Sequence, residues 1–198
     1  MKSNREQIIS AIRRNPPPAE ANLPTVPLYA THTTEKELQS AFVEILGRIG
    51  ATVIHTPTEE AIRQAIRTSY PEAVHICSAH PAIQGNIDPN TIGHPAELAT
   101  VDVAIVQGLL GVAENGAIWL TETQMIHRAL PFITQHLVIV LSDKHLVENM
   151  HAAYQQIAQI SEGFGVFISG PSRTADIEQS LVIGAHGARS LLVCLTSD

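Results

Sequence analysis

Apolar and polar residues follow two different rhythms along this chain. Short, nearly continuous apolar runs recur, and between them apolar residues return every three or four positions. The runs are typical of buried strands, and the spaced pattern is typical of amphipathic helices. The predicted strands are 51–55, 73–78, 101–107, 117–121, 137–141, 166–168 and 191–195. Strands that alternate with helices predict an α/β fold with a mostly parallel sheet that is covered by helices on both faces.

Polar residues mark the expected starts of the helices. Ser3 and Glu6 have the spacing of a capping box, and so do Thr34 and Glu37. Three further helices are predicted: one opened by Thr56-Pro57-Thr58-Glu59 with proline at its first position, one capped by Ser142 and extending to Ile157, and one over 174–183. Ligands of such sheets bind at the carboxyl ends of the strands.

Proline clustering divides the chain into two parts. Residues 1–31 combine the first helix with a proline-rich linker, and residues 32–198 form the main domain. An amphipathic helix on a tether packs either on a neighbouring subunit or on its own core. The sequence leaves both arrangements open, including a homodimer.

Composition narrows the classes of function. The 198 residues carry a net charge of −7 and are 44% hydrophobic and 16% charged. Nucleic-acid binding is not expected, because no basic patch is available to neutralise phosphates. No apolar run approaches the roughly 20 residues of a membrane span, and we expect a cytoplasmic protein without a signal peptide. Cys77 and Cys194 are expected as buried thiols.

The segment Ile168–Glu178 is the first candidate for chemistry. A strand-like run, a Gly-Pro turn and a predicted helix start would together point free N–H groups and a helix dipole at an anion. The same residue types suit a helix cap that satisfies only its own backbone, and the sequence leaves the two interpretations open. The candidate anion-binding residues are Ser169, Gly170, Ser172, Arg173 and Thr174.

Two further residues are candidates for catalysis. Glu114 precedes an Asn-Gly turn amid apolar residues, where desolvation would raise its pKa and suit a nucleophile or base. The alternative is an exposed glutamate on a surface hairpin. His186 lies between glycines and is either a site residue at the sheet edge or a loop residue. No metal site is predicted, and there is no Walker loop, GxGxxG motif or iron–sulfur cysteine cluster.

Ile168–Glu178, followed by Leu181-Val182-x-Gly184-x-His186-Gly187, closely resembles the C-terminal signature of the LUD domain family. Supporting segments are Val101–Ile105, Ala113–Gly116 and Leu130-Pro131. Within this family the segments look most similar to the lactate-utilisation protein C branch, and the resemblance covers about residues 33–195. Ala188 stands where a proline commonly follows His-Gly, which affects the loop shape.

This resemblance implies a fold related to the sugar-phosphate isomerase and CoA-transferase superfamily. It implies a component of an L-lactate dehydrogenase complex that oxidises L-lactate to pyruvate with two iron–sulfur partner proteins. The resemblance implies that the clusters lie only in the partners, and the absence of a cysteine cluster in this chain fits that expectation. The cofactor of this subunit stays unknown. A small anionic ligand is expected. Arg173 would bind the anion, and Glu114 and His186 would lie nearby.

Glu114-Asn115-Gly116 also resembles the Glu-Asn-Gly core of CoA-transferases, whose glutamate forms an acyl and then a CoA thioester. Ala113 replaces the serine that usually precedes it. The alternative is therefore a transferase or isomerase of CoA esters or sugar phosphates that uses Glu114. A third alternative is a scaffold that kept a binding fold without chemistry.

Overall fold

The computed structural model describes residues 3–16, 34–158, 161–175, 181–183 and 187–197. The chain divides into two units, Met1–Ala30 and Thr31–Asp198. In the first unit, helix α1 spans Asn4–Arg14. Ser3 accepts a hydrogen bond from the Glu6 N–H, and the Glu6 carboxylate accepts one from the Ser3 N–H. The predicted capping box is therefore confirmed.

The second unit contains helices and strands in mixed order. Its described helices are α2 (Glu35–Arg48), α3 (Glu59–Ser69), α4 (Glu122–Met125), α5 (Leu130–Ile133) and α6 (Met150–Ile157). Its described strands are β1 (Thr52–His55), β2 (Ile76–Ser78), β3 (Val103–Gln107), β4 (Leu110–Val112), β5 (Ala117–Thr121), β6 (His136–Ser142), β7 (Leu146–Val147), β8 (Gly165–Ile168), β9 (Arg173–Ala175), β10 (Leu181–Ile183) and β11 (Ser190–Thr196).

The central sheet has the order β1-β11-β6-β3-β2, and every neighbouring pair is parallel. Its strands are nearly continuous apolar runs because both faces are covered. Ile62 and Ile66 of α3 pack on one face, which includes Val138 and Leu192. The predicted α/β class with a mostly parallel sheet is confirmed.

The opposite face of the central sheet is covered by α2 and by a second sheet. Phe42 and Leu46 of α2 are fully buried there with Ile118 and Leu120 of β5. Each such side chain contributes about 1.5–3 kcal/mol by leaving water. The second sheet has the order β7-β4-β5-β8 and mixes parallel and antiparallel pairs. One face of the fold is therefore covered partly by a sheet, where the sequence predicts helices.

Three helix predictions differ from the structure. Residues 174–183 do not form a helix where they are described, since β9 and β10 pair as an antiparallel hairpin with Thr174 opposite Val182. The helix expected from Ser142 is split: a short 3-10 helix and β7 come first, and Asn149 caps α6. Pro57 precedes the N-cap Thr58 of α3 instead of occupying the first helical position.

Within the described ranges, no helix combines the length and the apolar character that crossing a membrane requires.

Candidate functional site

The predicted anion-binding segment forms a turn between β8 and β9. Gly170 has a φ of +80°, which L side chains rarely adopt. The Ser169 hydroxyl donates to the carbonyl of Asn115 at 2.8 Å, and the Ser172 N–H donates to the carbonyl of Ala188 at 2.8 Å. Strand β9 follows this turn, so among the described residues no helix begins where the sequence predicts one, and the expected helix dipole is not seen there. Two of the expected donors are already bound to the protein's own backbone.

Arg173 lies against the C-terminal end of α2. Its guanidinium donates to the carbonyl of Ile49, the residue that follows the last turn of the helix. A cation at this end stabilises the helix, because unpaired carbonyls there carry partial negative charge. The adjacent Gly50 leaves room for it, since a Cβ at Gly50 would lie 2.6 Å from Arg173 Nη2. The structure thus gives Arg173 a capping contact with the C-terminal end of α2.

A small cavity of about 260 Å³ lies beside this turn, and Ser169, Gly170, Ser172 and Arg173 contribute to its lining. Thr174 is in β9, one residue beyond the lining. His186 lies outside the described residues, so its relation to Arg173 is not described. The structure therefore brings four of the five predicted anion-binding residues to one cavity.

Glu114 lies in the turn that joins β4 to β5 and is exposed. Its carboxylate accepts a hydrogen bond from the Met150 N–H at 3.0 Å, at the first residue of α6. A carboxylate at a helix N-terminus is stabilised by the helix dipole. The desolvated carboxylate that the apolar surroundings suggest is not observed. The turn does contact the anion segment, through the Ser169 bond to Asn115.

A larger polar cleft, which was not predicted from the sequence, lies at the carboxyl ends of the parallel strands. This carboxyl-edge cleft has a volume of about 380 Å³. Gln107, Ser142 and Thr196 line it from the ends of β3, β6 and β11. The rest of its lining is Pro57, Thr58, Glu59, Ile62, His80, Ala82, Val140, Lys144 and His145. The sequence did contain a signal for this cleft. A polar residue lies at the carboxyl end of three of the predicted strands, and ligands of such sheets bind at that edge.

His80 is a partly buried and hydrogen-bonded side chain of the carboxyl-edge cleft. Its Nδ1 accepts hydrogen bonds from the N–H groups of Ala82 and Ile83, both at 3.2 Å. Burial lowers the pKa of His80, and the nearby Glu59 carboxylate opposes that shift only in part. The accepted bonds and the lowered pKa favour the neutral imidazole with its proton on Nε2. His80 is therefore equipped to donate a hydrogen bond without carrying charge.

Lys144 brings positive charge to the same cleft. It is exposed, and none of the ion pairs found among the described residues includes it. The adjacent Asp143 is engaged elsewhere: its carboxylate accepts from Gln39 at 3.3 Å and from Ser197 at 2.9 Å. A cation and a neutral hydrogen-bond donor in one cleft suit a small carboxylic acid anion that also carries a hydroxyl or keto oxygen.

Potential metal ligands are dispersed in the described part of the chain. No group of three or more His, Cys, Asp or Glu residues that could hold a metal occurs there. Cys77 and Cys194 are buried free thiols, and burial raises the pKa of each to about 11. Protonated, buried thiols are poor metal ligands.

Three similarities to known proteins accompany this geometry. Residues 94–196 match the model of the LUD domain. The chain is 28% identical over 193 residues to lactate utilization protein C of Geobacillus sp. (strain WCH70), which covers 90% of this chain and 76% of that protein. It is 36% identical over 109 residues to lactate utilization protein C of Shouchella clausii (strain KSM-K16), covering 52% of this chain and 46% of that protein.

A solved structure is similar in fold. The crystal structure of a DUF162 family protein from Deinococcus radiodurans has a TM-score of 0.67 to this chain at 19% identity. The match covers 83% of this chain and 99% of that one. At this identity the similarity supports the fold and carries no statement about ligands.

Proposed function

Because the chain belongs to the LUD domain family, we propose that it works in lactate utilisation, as the subunit without an iron–sulfur cluster of a system that oxidises L-lactate to pyruvate. The names of its relatives support the lactate role. The chain has two cysteines, and both are buried. Since a cluster needs about four cysteine ligands, electrons from lactate leave through iron–sulfur partner subunits.

The carboxyl-edge cleft is the proposed ligand site. The observation that carries this proposal is that Lys144 and a neutral His80 line one cleft at the carboxyl ends of parallel strands. Lys144 attracts a carboxylate, and His80 Nε2–H donates to a hydroxyl or keto oxygen. Lactate and pyruvate each carry a carboxylate and one such oxygen. The ligand is therefore a 2-hydroxy acid or a 2-oxo acid.

The turn from Ser169 to Thr174 is the second proposed anion site. Arg173 has donors beyond the one that contacts Ile49, and it borders the cavity of about 260 Å³. Its contact with α2 makes it a weaker candidate than Lys144. Substitutions can test the two sites separately, because Lys144 of the carboxyl-edge cleft and Arg173 of the turn lie on different segments of the fold.

Calorimetric titration with L-lactate and with pyruvate tests both sites. Lys144→Ala should weaken binding at least about tenfold, because a charge-assisted hydrogen bond contributes roughly 1.5–3 kcal/mol. Lys36→Ala, another exposed lysine, is the matched control and should leave binding unchanged. If Arg173→Ala abolishes binding and Lys144→Ala does not, the ligand occupies the turn between β8 and β9 instead.

The partner proposal needs a test of its own. The protein should copurify with iron–sulfur subunits from cells grown on lactate, and a deletion strain should lose growth on lactate. A deletion strain that oxidises lactate at the normal rate would overturn the role in lactate utilisation.

The transferase alternative depends on Glu114. Its exposed carboxylate is accessible, yet it already accepts the Met150 N–H. Incubation with acyl-CoA followed by borohydride should reduce a glutamyl thioester if that chemistry occurs. We expect no modified Glu114 by mass spectrometry, and unchanged lactate binding in Glu114→Gln. A trapped thioester at Glu114 would favour the transferase.

A further inference from the structure

A second polar cavity lies at the opposite end of α3, at the amino ends of the central strands. This amino-edge cavity has a volume of about 460 Å³. Tyr70 follows the last residue of α3, while His136 begins β6 and Ser190 begins β11. Its other lining residues are Ser69, Pro71, Glu72, Ala73, Asp102, Gln135 and Arg189. It is separate from the carboxyl-edge cleft, with which it shares no lining residue.

Three side chains in this cavity form a hydrogen-bonded chain. Ser190 Oγ lies 2.8 Å from His136 Nδ1 and 3.0 Å from the Tyr70 hydroxyl. Ser190 and His136 are direct partners on neighbouring parallel strands, so both side chains face the α3 side of the sheet. The Tyr70 ring stacks on the His136 ring, with centroids 4.5 Å apart and planes 27° apart. The imidazole is therefore held in one orientation beside the serine.

The protonation states suit proton transfer from the serine. Burial and the positive charge of Arg189 lower the pKa of His136, and Asp102 opposes them. The imidazole is thus neutral near pH 7, and Nδ1 can accept the Ser190 proton. Burial raises the pKa of Tyr70, so its hydroxyl stays a donor. Asp102 already accepts the N–H groups of Val74 at 2.9 Å and His75 at 2.8 Å.

The geometry points to Ser190 as a nucleophile that accepts an acyl group from a small ester, with His136 as its base and Tyr70 as the donor to the oxyanion. A nucleophile and a base in hydrogen-bond contact, with the base oriented by a third group, form the arrangement that covalent acyl transfer requires. A purely structural link between α3 and the sheet would not need an open cavity at the serine. The volume admits an acyl ester of modest size.

Acyl transfer to Ser190 conserves every atom and proton. Ser190 Oγ forms a bond to the ester carbonyl carbon while its proton moves to His136 Nδ1, and the carbonyl oxygen gains negative charge. Tyr70 donates a hydrogen bond to that oxygen. The carbon–oxygen bond to the alcohol breaks, and His136 returns the proton to the leaving alcohol. Water then hydrolyses the acyl-serine, with His136 accepting and returning a proton, and releases the carboxylic acid.

Labelling with a fluorophosphonate and hydrolysis of p-nitrophenyl acetate by the full chain test this inference. The label should map to Ser190 by peptide mass spectrometry, and acetate release should fall to background in Ser190→Ala. Tyr70→Phe keeps the ring stack and removes the hydroxyl, so hydrolysis should fall roughly 100-fold. Ser40→Ala, at an exposed serine of α2 outside this cavity, is the matched control and should label and hydrolyse normally.

Labelling of the wild-type protein shows by itself whether Ser190 reacts. The inference therefore stays testable even if a variant fails to fold. Folded wild-type protein that takes up no label, or takes it up at a residue other than Ser190, overturns it. Equal hydrolysis by Tyr70→Phe and wild type overturns the role of Tyr70. Lys144→Ala should label like wild type, so failure of lactate binding and failure of this inference remain distinguishable.

Discussion

Gly170 shows how one backbone angle shapes the turn between β8 and β9. Its φ is +80°, and a Cβ there would lie 3.1 Å from the carbonyl oxygen of Ile49. Gly170→Ala should therefore lower the free energy of unfolding by about 1–2 kcal/mol, because alanine is strained at this φ. Gly47 is the matched control: it lies within α2, and a Cβ added there would meet no atom within 4 Å.

Gly47→Ala should raise the free energy of unfolding by roughly 0.5–1 kcal/mol, because alanine has the higher helix propensity. Urea titration followed by circular dichroism measures both variants. Equal effects of the two substitutions would contradict the assigned backbone strain at Gly170.

Cys77 and Cys194 give a second prediction for single residues. Burial raises the pKa of each thiol to about 11, so little reactive thiolate is present at pH 8. A disulfide reagent such as DTNB should react with the native protein at least about 100-fold more slowly than with the urea-denatured protein. Fast reaction of one thiol in the native protein would show that its strand opens readily.

The sequence singles out the residues of the turn between β8 and β9 as candidates, but it does not reveal their contacts. Arg173 and Ser169 line one cavity. Arg173 also caps α2 through Ile49, which lies 124 positions away in the sequence. A contact over that distance depends on the completed fold, so no local pattern could reveal it. The same limit applies to Glu114, whose partner Met150 belongs to a different element.

Among the helices, α2 allows the most direct test of local sequence rules. Thr34 accepts the Glu37 N–H at 3.3 Å, and Glu37 accepts the Thr34 N–H at 2.9 Å. Thr34→Ala should lower the free energy of unfolding by about 1 kcal/mol, because it removes the N-cap acceptor. Ser40→Ala on the exposed side of the same helix is the control and should have a smaller effect. Thermal unfolding of the two variants distinguishes them.

Helices were predicted correctly where the signal is local and wrongly where tertiary pairing decides. Both capping boxes occur because their hydrogen bonds join residues three positions apart. Thr174 has the residue type of an N-cap and is followed by acids, which are typical of a helix start. There the chain instead pairs β9 with β10. Propensity is a weak preference that strand pairing overrides.

The carboxyl-edge cleft is a property of the whole molecule. The chain passes from β1 at one edge of the central sheet to β2 at the other edge by way of α3, and then fills the sheet from β3 to β11. This path brings His80, Gln107 and Lys144 to one cleft although they are far apart in the sequence. The strands themselves were predictable, because their apolar runs are local. The order of the strands in the sheet was not predictable from local patterns, and the position of the cleft depends on that order.

The stability of the whole molecule should fall steadily in acid. The pKa values of His80 and His136 are lowered in the folded protein, in each case chiefly by burial. The pKa of Asp102 is also lowered, chiefly by the N–H group of His75. Each folded pKa lies below its unfolded value, so the unfolded chain binds more protons as the pH falls. The stabilising contribution is therefore complete above the unfolded pKa and is lost as the pH falls through the folded one.

The direction of these pKa shifts sets the pH range over which stability is lost. The histidine contribution should begin to decline below the ordinary histidine pKa of 6.5, and the Asp102 contribution below the ordinary value of 3.8. The melting temperature should thus fall between about pH 7 and pH 5 and fall further toward pH 3. His80→Gln should flatten the first part of this curve, because glutamine cannot gain a proton there. His151→Gln, at an exposed position of α6, is the matched control. A melting temperature that rises between pH 7 and pH 5 would show that the histidines are stabilised in their charged form, and would remove the argument that His80 donates to a ligand as a neutral group.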